Sequence, residues 1–131
     1  MAPPKLKVLA FNCSLKSAHA REKSSTDTLL KQLMDEFEEH GAKGEVIRAV
    51  HFEIKPGVSS DEGANDAWPQ LRQRVIDSDI VIIATPIWLG QPLSVAKRVL
   101  TPKVIAEWNS LLASNAVHLA RLLKQKNFPG V

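Results

Sequence analysis

Four β-branched residues in succession, Ile80-Val81-Ile82-Ile83, stand between Asp79 and the group Ala84-Thr85-Pro86. Successive side chains of a strand point to opposite faces, so an unbroken apolar run needs cover on both, as an interior strand of a parallel sheet receives it. Thr85-Pro86 ends the run, because proline has no N–H to give to a ladder. In open parallel sheets ligands settle in the crevice outside the carboxyl ends of the strands, which makes residues 85–90 the first place to look for a site.

The remaining segments supply neighbours for that strand. Residues 7–12 (Lys-Val-Leu-Ala-Phe-Asn) read as a first strand ending at the polar group Asn12-Cys13-Ser14. From Thr26 to His40 the apolar positions Leu29, Leu30, Leu33, Met34 and Phe37 recur at helical spacing, with Ser25 or Thr26 as N-cap and Gly41 as the stop. A second strand is expected over 45–50, reached through Gly41 and Gly44, closing a strand-helix-strand unit with a right-handed crossover. Residues 51–65 carry Pro56-Gly57, Ser59-Ser60 and Gly63 without periodicity and predict a long loop. Asp66 then caps a helix to about Asp77, with Pro69 in its first turn and Leu71, Val75 and Ile76 facing inward. A short helix over 93–100 precedes a long one over 102–124, whose Ile105, Trp108, Leu112, Ala116, Leu119 and Leu123 form one stripe. Alternating strands and helices mean an α/β fold with a parallel sheet.

At 131 residues the chain is expected to be one domain, 1–131, with a βαβαβα part over 1–100 and a C-terminal helix over 101–131. Its net charge of +3 is scattered along the chain, which disfavours nucleic acid as a partner. The single cysteine, Cys13, excludes an internal disulfide, and His19, His40, His51 and His118 show no metal-binding spacing, so no metal is expected. No signal peptide and no run of transmembrane length is evident, so the expectation is a cytoplasmic protein without a membrane partner.

Two loops carry candidate chemistry. Between the first strand and the first helix lie Ser14, Lys16, Ser24, Ser25 and Thr26. A helix N-terminus exposes unpaired N–H groups and a partial positive charge, so hydroxyls and a cation gathered there suit a phosphate monoester. The alternative is that the hydroxyls only cap the helix. Neither G-x-G-x-x-G nor G-x-x-x-x-G-K-[ST] is present, which disfavours the dinucleotide fingerprint and the P-loop. The second loop, Pro86-Ile87-Trp88-Leu89-Gly90, is apolar with an indole that suits a flat aromatic ligand, or else is core packing at a strand end.

The chain resembles the flavodoxin-like NAD(P)H-dependent FMN reductase and quinone reductase family. The resemblance rests on Asn12-Cys13-Ser14-Leu15-Lys16 for that family's N-G-S-x-R, Ser24-Ser25-Thr26 for its helix entry, and Ala84-Thr85-Pro86-Ile87-Trp88-Leu89-Gly90 for its A-T-P-I-Y-x-G loop. It implies strand order 2-1-3, with helices on both faces and the ends of strands one and three sharing a crevice. It implies FMN, its phosphate held by Ser14, Lys16, Ser25 and Thr26, with Ser24 in the same hydroxyl-lined loop, and its ribityl chain and ring lined by Pro86, Ile87, Trp88, Leu89 and Gly90. Hydride would pass from NAD(P)H through the flavin to a quinone, a flavin or a similar small acceptor, with no catalytic side chain. The alternatives are an FMN-binding electron carrier and a catalytically silent shortened relative acting in assembly.

The chain departs from that family after Leu100, where strands four and five are not evident. The joint between Leu100 and Lys103 spans only about 10 Å when extended, whereas helices on opposite faces of a sheet lie about 20 Å apart. The closing helix is therefore expected to extend the Leu93 helix with a bend near Pro102 or to swap onto a second copy, and the third strand to offer an open edge to another chain.

Overall fold

The computed structural model describes residues 5–16, 24–57, 59–100 and 102–125, and for 102–112 and 123 the backbone alone. Strands β1 (Leu6–Asn12), β2 (Ala42–Arg48) and β3 (Ile80–Ala84) form a sheet in the order β2-β1-β3 with both pairings parallel. This is the expected flavodoxin-like order. The register sets Asn12 beside Arg48 on one flank and beside Ala84 on the other, so the three carboxyl ends share one rim. The Cys13 N–H donates to the Ala84 carbonyl at 2.8 Å and extends the β1–β3 ladder past the last paired residue. At the opposite end Asp79 clamps the two strands: its carboxylate accepts the Lys7 N–H at 2.7 Å, and its own N–H donates to the Lys7 carbonyl at 2.9 Å.

The second strand begins earlier than its apolar residues suggest and takes in Gly44, while Ala49–His51 turns as a short 3-10 helix. A Cβ on Gly44 would lie 1.6 Å from the Val8 carbonyl oxygen, so this pairing admits glycine alone. Helix α1 (Ser25–Glu39) stops at Gly41, whose φ of +82° lets its N–H donate back to Glu38 O at 3.1 Å. Helix α2 (Trp68–Ile76) is preceded by Asp66, which accepts the N–H groups of Trp68 at 3.0 Å, Glu62 at 3.1 Å and Lys55 at 3.3 Å. Asp66 thereby fixes the helix start and gathers the long loop, in the manner of an aspartate competing for local backbone donors.

The main core lies on one face of the sheet. Leu9, Phe11 and Ile47 meet Trp68, Leu71 and Val75 of α2 and Val95, Ala96 and Val99 of α3 (Ser94–Val99), with Val81 and Ile83 packed against them. Ile76, expected to face inward, is instead exposed at the last turn of α2. The other face carries α1, which buries only Thr26 and Leu30, leaving Leu29 62% exposed and Leu33 exposed as well.

Helix α1 packs on β1 and β2, and β3 is half-buried along its whole length rather than covered on both faces. It is an edge of the described sheet, which has no fourth or fifth strand among the described residues. Helix α4 (Pro102–Gln125) follows. Ala116 and Leu119, two members of the expected apolar stripe, are exposed. Ile105, Trp108, Leu112 and Leu123 lie outside the residues whose side chains are described.

Candidate functional site at the strand ends

Above the rim of β1 and β3 lies a hollow of about 300 Å³. Ser14, Leu15, Lys16, Ser24 and Ser25 line it from the β1–α1 side, and Pro86, Ile87, Trp88 and Leu93 from the β3–α3 side. The structure thus brings Ser14, Lys16, Ser24, Ser25, Pro86, Ile87 and Trp88 to one place. Thr26 is not in the lining and is buried in the first turn of α1. Leu89 and Gly90 also stand apart, because the apolar segment is a hairpin rather than an open loop: β4 (Ile87–Trp88) pairs with β5 (Gln91–Pro92), and these two residues make its tip. Both have positive φ, 50° and 73°, as a tight two-residue hairpin turn demands. Its base is stapled by Thr85, whose Oγ1 accepts the Leu93 N–H at 3.2 Å and donates to the Pro86 carbonyl at 3.0 Å.

The two walls differ in chemistry. On the α1 side Ser24 is the N-cap, yet its side chain makes no capping hydrogen bond. Its carbonyl accepts the Asp27 N–H at 3.0 Å and the Thr28 N–H at 3.3 Å instead. A plain capping role therefore does not describe Ser24, whose residue faces the hollow at the positive end of the helix. On the hairpin side Ile87 is 76% and Trp88 69% exposed, an apolar surface at the mouth of the hollow. Trp88 is accordingly not core packing.

Behind the polar wall stands a network that the sequence did not announce. Asn12 is fully buried; its Oδ1 accepts the Ser14 N–H at 2.9 Å and its Nδ2 donates to Asp27. Arg48 forms an ion pair with Asp27 through Nη2, while Nη1 donates to the Lys16 carbonyl and approaches Ser14 Oγ at 3.5 Å. The only sequence signal was positional: a charged residue at the end of the second strand, level with Asn12 in a 2-1-3 sheet.

Cys13 sits on the core face, where burial pushes its thiol up from 9.0 to about 11. It remains protonated near neutrality and is no nucleophile. His118 is exposed on α4, and His19 lies outside the described residues. Among the described residues no group of three or more His, Cys, Asp or Glu side chains could hold a metal ion, and no helix is long and apolar enough to cross a membrane. A second hollow of about 330 Å³, lined by Lys7, Lys43, Gly44, Arg74, Asp77 and Ser78 among others, opens at the opposite ends of the strands, away from the carboxyl rim.

Residues 6–101 match the family model of NADPH-dependent FMN reductases. The chain belongs to this family. Its relatives include the 8-demethyl-8-aminoriboflavin-5'-phosphate synthase of Streptomyces davaonensis, 32% identical over 104 residues that make up 72% of this chain and 40% of that protein. The crystal structure of RosB with the bound intermediate 8-demethyl-8-formylriboflavin-5'-phosphate superposes with a TM-score of 0.62 at 28% identity, over 79% of this chain and 42% of that one. A segment of the divalent metal cation transporter MntH of Mycobacterium bovis is 40% identical over 106 residues, 76% of this chain and 15% of that protein. The chain therefore spans less than half the length of each of these relatives.

Proposed function

We propose that this chain holds FMN in the hollow between Ser14 and Trp88 and serves an NAD(P)H-dependent reduction of a small acceptor such as a quinone or a second flavin. One observation carries the reading: a single hollow joins a cationic, hydroxyl-lined helix N-terminus to an apolar, indole-bearing hairpin. The donor set fits the cofactor. Ser14, Ser24 and Ser25 offer hydroxyls, Lys16 a charge, and the start of α1 the positive end of its dipole, which together suit a phosphate monoester. Pro86, Ile87 and Trp88 offer a flat apolar wall to a ring. At about 300 Å³ the hollow is at the lower end of small-molecule sites. It suits the phosphate and ribityl portions, with the ring lying along the hairpin.

Bound FMN supplies the redox chemistry. The chain anchors the ester and orients the ring against Trp88. Purified protein with a flavin absorbance band, oxidising NADPH when a quinone or free flavin is added, is the expected result. A preparation that binds FMN without turnover would support the electron-carrier reading, and one that binds no flavin would overturn both.

A second reading has its own support. The names of a relative and of a similar solved structure give riboflavin 5'-phosphates as product or bound intermediate there, so the same hollow would take such a molecule as substrate. Mass analysis of the flavin after turnover separates the two, since a cofactor is recovered unchanged.

A second copy of the chain is the proposed partner, meeting the half-buried edge strand β3 or exchanging α4, whose described side chains are exposed. Light scattering is expected to give at least a dimer; a stable monomer at high concentration would count against it.

A further inference from the structure

Asp27 raises a difficulty for an anion site. It is in the first turn of α1, where a carboxylate is favoured by the helix dipole but repels a phosphate drawn to the same end. The structure resolves this with Arg48. We propose that Arg48 is the positioning and charge-balancing residue of the phosphate site: one arm of its guanidinium cancels Asp27, and the other holds the Ser14–Lys16 loop that lines the hollow. This assignment rests on the proposed flavin-phosphate reading and names the residue on which its selectivity for the ester depends.

Three observations converge on it. The parallel register sets Arg48 level with Asn12, so the end of β2 is aimed at the loop leaving β1. The Arg48 side chain is only 13% exposed and Asp27 38%, so their pair is partly withdrawn from water, where removing one partner leaves an uncompensated charge. The remaining nitrogen, Nη1, reaches the Lys16 carbonyl and the Ser14 hydroxyl, two residues of the polar wall. The planar fork of arginine engages both directions at once, which a lysine ammonium cannot reproduce in one fixed geometry. Asn12 completes the frame by binding Asp27 and the Ser14 N–H from the buried side.

The prediction distinguishes charge balance from mere support. FMN and riboflavin differ by the phosphate ester, so the ratio of their affinities reads the anion site alone. Arg48→Ala is expected to weaken FMN by 10-fold or more while changing riboflavin by less than 3-fold. Asp27→Asn, which removes the repelling charge, is expected to keep or improve FMN binding. The double variant Arg48→Ala/Asp27→Asn is expected to recover most of the FMN affinity lost in Arg48→Ala, the non-additivity of coupled neighbours. Arg48→Lys keeps the charge without the fork; it is expected to lie between wild type and Arg48→Ala and provides the test if Arg48→Ala does not fold. Circular dichroism of each variant confirms folding before titration.

Parallel losses for both flavins in Arg48→Ala or Arg48→Lys, or a double variant as weak as Arg48→Ala, would overturn the assignment while leaving the flavin site standing. Wild-type protein that binds neither flavin would overturn the underlying reading and the assignment together.

Discussion

Replacing Asn12 tests how the site is built into the fold. Its side chain is fully buried, donates to the Asp27 carboxylate and accepts the Ser14 N–H. Asn12→Ala removes a hydrogen bond to a charged group, worth about 1.5–3 kcal/mol, and leaves the Ser14 N–H without its acceptor, at a further cost of about 1–3 kcal/mol. The expected loss is roughly 3–5 kcal/mol, or on the order of 10–20 °C in Tm for a domain of this size. Asn12→Asp keeps the acceptor for Ser14 but turns the donor into a second carboxylate facing Asp27, with Arg48 already engaged. That variant is expected to be less stable than Asn12→Ala at pH 7. The carboxylate of Asp27 facing it raises the folded-state pKa of the introduced carboxyl above its unfolded value, so the deficit of Asn12→Asp shrinks as pH falls from 7 toward 5. Urea denaturation of the three proteins at both pH values is the assay. Equal stability of wild type and Asn12→Ala, or no pH dependence in the difference between Asn12→Asp and wild type, would refute the reasoning.

Other expectations are more local. The Cys13 thiol, raised from 9.0 to about 11, binds its proton more tightly in the folded state. Its contribution, at most about 3 kcal/mol, is complete below about pH 9 and lost as pH rises toward 11, so wild type should lose more stability than Cys13→Ala between pH 8 and 10.5 in urea titrations. Gly44→Ala places a methyl group against the Val8 carbonyl and is expected to cost roughly 3 kcal/mol or prevent folding, read by thermal denaturation. Leu89→Asn relieves a leucine held at positive φ on an exposed tip and should stabilise by about 0.5–1 kcal/mol, measured in the same way; a loss would mean that the leucine itself holds the hairpin.

The sheet was legible because its signals are local. An apolar run ending in Thr85-Pro86 and a helical period ending in Gly41 each fix an element without knowledge of its neighbours. The hollow was legible in outline for a related reason: in a 2-1-3 parallel sheet the ends of β1 and β3 must adjoin, which brings Ser14 and Lys16 to Trp88. What the sequence hid was pairwise and distant. Arg48 meets Asp27 and Lys16 only through strand register, and Gly44 looks like a turn glycine although its lack of a side chain serves a close approach inside β2. The Pro86–Gly90 segment was read as a loop because a hairpin of two-residue strands carries no alternation to detect. Leu33 and Ile76 misled because apolar spacing predicts a buried face only where another layer exists to cover it.

One titration bears most directly on whether the two strand tips make a single site. FMN fluorescence is followed as protein is added, for wild type, Ser14→Ala/Lys16→Ala, Trp88→Ala and His118→Ala. Saturable binding by wild type is expected, weakened at least 10-fold by changes to either wall of the hollow and unaltered by His118→Ala. Affinity indifferent to one of the two walls, or reduced as much by His118→Ala, would contradict it.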